Sequence, residues 1–238
     1  MVRNLFNKLF RGPPLKLSKA EEELLKRWST LEASSVKKPL DNSRLVVVDV
    51  ETTGLDTTSD RLLSIGAVTI QNGKLTLGDN FHGVLLQDQS SSEENILVHR
   101  ISGDAQLSGE APVKLLLRWL EYCGKDSLVA YHAPFDQRFL QRSIRQVLGV
   151  KFSNLFLDLA WVLPGLFPEA KLKRKPLDAW LSYFQVPVGA RHSADADALA
   201  TATLLLLALE RAKSKGISSV RDLSAIEREE IQMAHRGP

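Results

Sequence analysis

The chain has 238 residues, 44% of them hydrophobic and 25% charged, with a formal net charge of +3. That balance fits a soluble globular protein of one domain with extensions, or at most two small domains. A single cysteine, Cys123, excludes an intrachain disulfide, and no apolar run approaches the about 18 residues needed to cross a bilayer.

The first eleven residues lack a continuous apolar stretch and a small-residue cleavage site, so no secretory signal is read there and a cytoplasmic location is expected. Residues 1–40 hold nine Lys or Arg against four Glu, a surplus of +5 that leaves the remainder at −2. A basic arm on a mildly acidic body suits contact with a polyanion through counterion release. A solvated leader without a partner accounts for the same charge, and residues 1–11 also have the pattern of a short amphipathic helix on a membrane surface or partner. After Pro13-Pro14 a helix is expected from Ser18, where Ser18-Lys19-Ala20-Glu21 fits a capping box.

Strand-like runs follow at 45–51, 61–70 and about 75–86, with Asn72-Gly73 between the last two as a hairpin signal. Ala111 to Tyr122 reads as a helix, with Val113, Leu116, Leu117 and Leu120 at helical spacing. Ser127 to His132 reads as a short buried strand, followed by a helix from about Phe135. Leu155 to Val162 fits strand or helix equally. Leu177 to Phe184 and Ala194 to Ala212 read as helices, and the polar tail from Lys213 carries one more around Ile226 to Ala234. An antiparallel meander followed by alternating helices and strands predicts a mixed α/β sheet covered by helices.

Within this pattern, Asp49 and Glu51 interrupt the most hydrophobic strand run in the first half of the chain, Leu45-Val46-Val47-Val48-Asp49-Val50-Glu51. A lone carboxylate there would cost several kcal/mol of desolvation, and two at i and i+2 share a face and repel. A bound cation resolves both problems; a strand end fraying into solvent is the plainer alternative. Asp136 sits at a later strand–helix junction, where a first-turn acid also suits the helix dipole. A third junction carries His192-Ser193-Ala194-Asp195-Ala196-Asp197, in which Ser193 and both acids also fit helix-cap positions.

Taken together, Val48-Asp49-Val50-Glu51-Thr52-Thr53-Gly54-Leu55, Phe135-Asp136-Gln137-Arg138-Phe139-Leu140 and His192-Ser193-Ala194-Asp195-Ala196-Asp197-Ala198 resemble the DEDDh 3′–5′ exonucleases. This family has the ribonuclease-H-like fold and includes the proofreading epsilon subunit of bacterial DNA polymerase III. His99-Arg100-Ile101-Ser102 also looks like the family's His-x-Ile-Thr turn. The resemblance covers roughly residues 44–210 and divides the chain into a basic, partly helical extension (1–41), an exonuclease domain (42–212) and a charged C-terminal tail (213–238).

The resemblance implies that Asp49, Glu51, Asp136 and Asp197 hold two divalent cations, Mg²⁺ or Mn²⁺, with His192 as general base. Phosphodiester hydrolysis calls for such a set, because a nucleophile must be made from water and charge stabilised on both attacking and leaving oxygens. Carboxylates are hard ligands suited to these ions, and no thiolate cluster favours zinc. Asp197 is chosen over Asp195 on family spacing. The resemblance also maps substrate contacts onto Thr52, Thr53, Gly54 and Leu55, onto His99 and, more loosely, onto Glu94. The expected substrate is a nucleic acid with a free 3′ end, foremost single-stranded DNA, cut to nucleoside monophosphates. RNA trimming of the oligoribonuclease kind is the alternative. The terminal extensions do not resemble the proofreading subunit's polymerase-binding tail, so a stand-alone enzyme is read beside contact of these extensions with a polymerase or other protein partner.

One departure stands out: relatives show Ala-His-Asn-Ala before the third acid, and this chain has Ala130-Tyr131-His132-Ala133. Two readings from other classes compete. A phosphatase with an aspartyl nucleophile accounts for Asp49-Val50-Glu51-Thr52-Thr53 as a loose Asp-x-Asp-x-Thr loop, but leaves His192 through Asp197 unexplained. A non-catalytic nucleic-acid-binding module leaves the repelling acids without a use.

Overall fold

The β-branched run around Val46–Val48 lies on the central strand of a five-stranded mixed sheet. A computed structural model describes residues 16–187 and 193–236. Strands β1 (Arg44–Thr52), β2 (Leu62–Gln71) and β3 (Lys74–Val84) form the expected antiparallel meander. Its tight turn has Asn72 at φ 53° and Gly73 at φ 70°, the paired left-handed residues that an Asn-Gly hairpin needs. Strands β4 (Ser127–Ala130) and β5 (Phe156–Asp158) add in parallel beyond β1.

Alternation along β1 divides the core. Val46, Val48 and Val50 face helices α4 (Pro112–Cys123) and α5 (Pro134–Leu148), packing in one cluster with Leu116, Leu120, Phe139 and Ile144. Leu45 and Val47 face the opposite side, where α6 (Leu159–Leu166), α7 (Leu177–Tyr183) and α8 (Ala194–Ser214) bury Val162, Trp180, Leu205 and Ala208. Asp49 and Glu51 continue the odd-numbered series, so they emerge on the α8 side.

Leu155 to Val162, ambiguous by pattern, is both things in turn. Residues Phe156–Asp158 pair with β4, then Asp158 accepts the Ala160 N–H at 3.0 Å and starts α6. The expected strand 127–132 is shorter, because His132 takes a left-handed conformation at φ 64°. Two short helices, α2 (Glu93–His99) and α3 (Gly103–Leu107), occupy a stretch in which the sequence signals no element.

Both ends of the described chain pack onto this core. Helix α1 (Lys19–Thr30) opens with the expected capping box, in which Ser18 N–H donates to Glu21 Oε2 at 2.8 Å. It buries Trp28, whose Nε1 donates to Gly124 O at 2.9 Å. Helix α9 (Val220–Arg236) begins earlier than the expected Ile226 and buries Val220 and Leu223 in the cluster that α6 lines. Cys123 is buried at the end of α4, and burial pushes its thiol up. Among the described residues no helix is long and apolar enough to cross a membrane. The amphipathic pattern at 1–11 and His192 fall outside the described residues.

Candidate active site

The register of β1 on β2 sets the first half of the site. Asp49 stands opposite Gly66 and Glu51 opposite Ser64, and just after Glu51 the register shifts, so that Thr52 pairs with Leu62. Gly66 is the position that lets α8 approach. A Cβ there would lie 2.2 Å from Ala194 C and from Asp195 N, so the first turn of α8 rests directly on the β2 backbone. That approach brings Asp197 over the end of β1. Asp49, Glu51 and Asp197 each offer a carboxylate oxygen within 4.8 Å of the others. Asp197 is only 8% exposed, whereas Asp195, two residues earlier on the same helix, points to solvent.

Asp136 is set by a different device. Strand β4 ends at Ala130, so the Val50 N–H has no ladder acceptor on that side. The Asp136 carboxylate takes its place, accepting the Val50 N–H through Oδ1 at 3.1 Å from the first turn of α5. Asp136 is 3% exposed. Burial pushes its carboxyl well above the usual carboxylate range, and the charges of Asp158 and Glu51 push it further against the opposing backbone hydrogen bonds. Asp136 therefore stands beside the Asp49–Glu51–Asp197 trio, joined to it through the Val50 amide and the field of Glu51 rather than as a member of it.

The residues expected at the terminal nucleotide form a turn directly after Glu51. Thr52 Oγ1 donates to Gly54 O at 2.7 Å, while Thr53 Oγ1 donates to Asp60 Oδ1 at 3.1 Å and accepts Arg61 N–H at 2.9 Å. A side chain at Gly54 would meet Asp60, with the nearest atom at 2.4 Å. Leu55 is left 86% exposed. Asn95 on α2 ties this turn down by donating from Nδ2 to Thr53 O.

His99 and Glu94 are placed differently from one another. His99 is 2% exposed, with Nδ1 accepting Ile101 N–H at 3.0 Å and Nε2 2.9 Å from Ser91 Oγ, and burial lowers its pKa. Both ring nitrogens are thus committed to the loop around α2. Glu94 is exposed in the first turn of α2, where its own backbone N–H and Ser92 hold its carboxyl below the usual range.

The Tyr131-His132 departure has a structural use. His132 accommodates the left-handed turn into α5, and its N–H donates to Asp158 Oδ1 at 2.9 Å. Tyr131 donates its hydroxyl to Lys175 O. Two further acids, Asp158 and the half-buried Glu227, lie outside the set expected from the sequence. Asp158 N–H donates to Glu227 Oε1 at 3.2 Å, and burial raises both carboxyls, that of Glu227 to about 7. Asp158 had a readable signal, an Asp directly before the apolar run Leu159–Leu163, which is a helix-cap pattern. Glu227, inside a charged helix, had none.

The donor set suits a hard divalent cation: carboxylate oxygens converge, and the one thiol is buried in α4. A cation held there would also offset the repulsion between the carboxylates and the cost of burying charge at Asp136.

Comparison with known proteins agrees with this architecture. The exonuclease family model RNase_T matches residues 46–205. A DNA polymerase III subunit epsilon-like protein of Rhodobacter capsulatus is 31% identical over 191 residues, 79% of this chain and 27% of its own length. A PolC-type DNA polymerase III of Caldanaerobacter subterraneus is 32% identical over 184 residues, 76% of this chain and 13% of its own. The chain thus spans about a quarter or less of these relatives. Among solved structures, E. coli exonuclease I in complex with a dA16 oligonucleotide superposes with TM-score 0.62 at 17% identity, covering 77% of this chain and 43% of that one. Exonuclease X in complex with 5′-overhanging duplex DNA gives 0.56 at 19% identity, covering 77% and 99%. These structural likenesses bear on the fold, which is ribonuclease-H-like. With β1 carrying its acidic pair and the family model reaching all five strands, the chain belongs to the RNase_T exonuclease family.

Proposed function

We propose that the protein is a metal-dependent 3′–5′ exonuclease that hydrolyses phosphodiester bonds from the 3′ end of DNA and releases nucleoside monophosphates. The observation that carries this reading is the meeting of Asp49, Glu51 and Asp197 oxygens within 4.8 Å at the end of β1. Asp49, Glu51 and Asp197 would hold one divalent cation between them. Asp136, with Oδ1 engaged by the Val50 amide, would hold a second, chiefly through waters. Two such cations supply charge stabilisation on both the attacking and the leaving oxygen. His192 takes the proton of the attacking water as general base. The turn Thr52–Leu55 grips the terminal nucleotide, with exposed Leu55 beneath a base.

The names of the relatives support DNA as the substrate, since they are DNA polymerase III proteins. The same reading places the protein in the cytoplasm, in replication or repair, with the terminal segments as the meeting place for a polymerase or other partner. The test is a degradation panel of 3′-labelled and 5′-labelled strands of matched DNA and RNA in Mn²⁺. Stepwise shortening from the 3′ end of DNA, stopped by EDTA, is expected. Shortening from the 5′ end, or activity undiminished by EDTA, overturns the reading, and a preference for RNA reassigns the substrate.

A further inference from the structure

The loop between α6 and α7 carries four cations in five residues, Lys171-Leu172-Lys173-Arg174-Lys175. We propose that this loop is a phosphate-binding edge of the active site, holding the backbone of the substrate strand upstream of its 3′-terminal nucleotide through Lys171, Arg174 and Lys175. The inference rests on the exonuclease reading above and adds to it where the rest of the strand lies.

Placement comes from the sheet. β1 and β4 run parallel with Val47 opposite Val129, and continuing that register brings Tyr131 alongside Asp49. Val129 and Tyr131 pack in the same cluster as Leu45 and Val47, so Tyr131 projects from the face that carries Asp49. The Tyr131 hydroxyl holds Lys175 O. The loop is therefore anchored above the strand next to β1, on the sheet face that carries Asp49. A second anchor at its middle is the Lys173–Glu230 ion pair, at 2.9 Å.

The loop is held in a costly shape. Lys171 and Arg174 both have left-handed backbones, at φ 54° and 61°, which side chains other than Gly, Asn and Asp rarely adopt. Lys171, Arg174 and Lys175 are all exposed. Several cations elsewhere are neutralised: Arg44 by Asp79 and Asp126, Arg118 by Glu110, Arg211 by Glu169. Among the described residues no ion pair takes Lys171, Arg174 or Lys175. A strand approaching converging carboxylates meets repulsion that a cationic rim offsets, and the Arg fork matches a phosphate's geometry.

The experiment uses the full chain and the double variant R174A/K175A. Binding of a fluorescent 20-mer oligothymidylate is followed by anisotropy in EDTA across a salt series. The variant should bind about tenfold more weakly at low salt, and its log–log salt slope should flatten by about 1.4, about 0.7 for each single-strand phosphate that the variant leaves without a cation. An unchanged slope overturns the proposal. In Mn²⁺ the drop in kcat/KM should grow with strand length, about tenfold on the 20-mer and small on a dinucleotide. An equal drop on both overturns the proposal as well, because it assigns the loop to support of the fold alone. Wild-type protein that binds the 20-mer but cuts neither substrate overturns the exonuclease reading, while the salt slopes still decide the loop.

Discussion

Asp195 and Asp197 differ by two positions on one helix, yet one faces the carboxylates of β1 and the other faces water. Mn²⁺ at a hundred times its Kd should stabilise the wild-type protein by about 2.7 kcal/mol, read as a rise in melting temperature. Asp49→Asn and Asp197→Asn should abolish that rise, and Asp195→Asn should keep it. Equal responses from the Asp195 and Asp197 variants would remove the trio as a metal site. The strand acids were legible because carboxylates interrupting a β-branched run have few uses. The choice between the helix acids was not, because Leu204-Leu205-Leu206-Leu207 gives α8 no polar face to read. The His99 ring bonds Ser91 and the Ile101 amide, which its place in the chain did not signal. Hydrogen bonds of that kind depend on how a loop folds, and loop composition does not encode them.

At the scale of elements, the site depends on α8 lying against β2 without an intervening side chain. Gly66→Ala would set a methyl within 2.2–2.4 Å of Ala194 and Asp195 backbone atoms and force the first turn of α8 away. A destabilisation of about 1–3 kcal/mol is expected from such overpacking, measured by urea unfolding, together with weaker Mn²⁺ binding by calorimetry. Normal stability with normal Mn²⁺ affinity would show that the approach is not what sets Asp197. An isolated Gly inside Leu62–Gln71 is a recognisable mark of close backbone approach. The meander, its hairpin and the long helices were readable from period and turn residues alone. Helices α2 and α3 were not, since each is short and stabilised by bonds to other segments, such as Gln106 with Ser91.

For the molecule as a whole, the family match ends at residue 205, but the folded unit does not. Helix α9 reaches back through Glu227 to the Asp158 N–H, and Asp158 in turn holds the His132 N–H before Asp136. Burial raises the Glu227 carboxyl to about 7 from an ordinary 4.5, so the folded protein holds that proton more tightly than the unfolded chain. Between those values the unfolded chain has released the proton first, and wild-type stability falls as pH rises through the window. Glu227→Gln keeps an oxygen for the Asp158 amide and removes the charge. Thermal melts should show it more stable than wild type by about 1 kcal/mol at pH 8, discounted for partial exposure, with no gain at pH 4. A gain that is the same at both pH values would assign the effect to packing instead.

Cys123 lies sealed at the end of α4, with its thiol driven away from the reactive thiolate form. Maleimide dyes will therefore pass over the native protein. A cysteine placed on the exposed rim, at Leu55 or beside Lys175, would be the sole labelled site. Fluorescence from such a probe would report strand arrival and departure in real time, with no need to strip a natural thiol first.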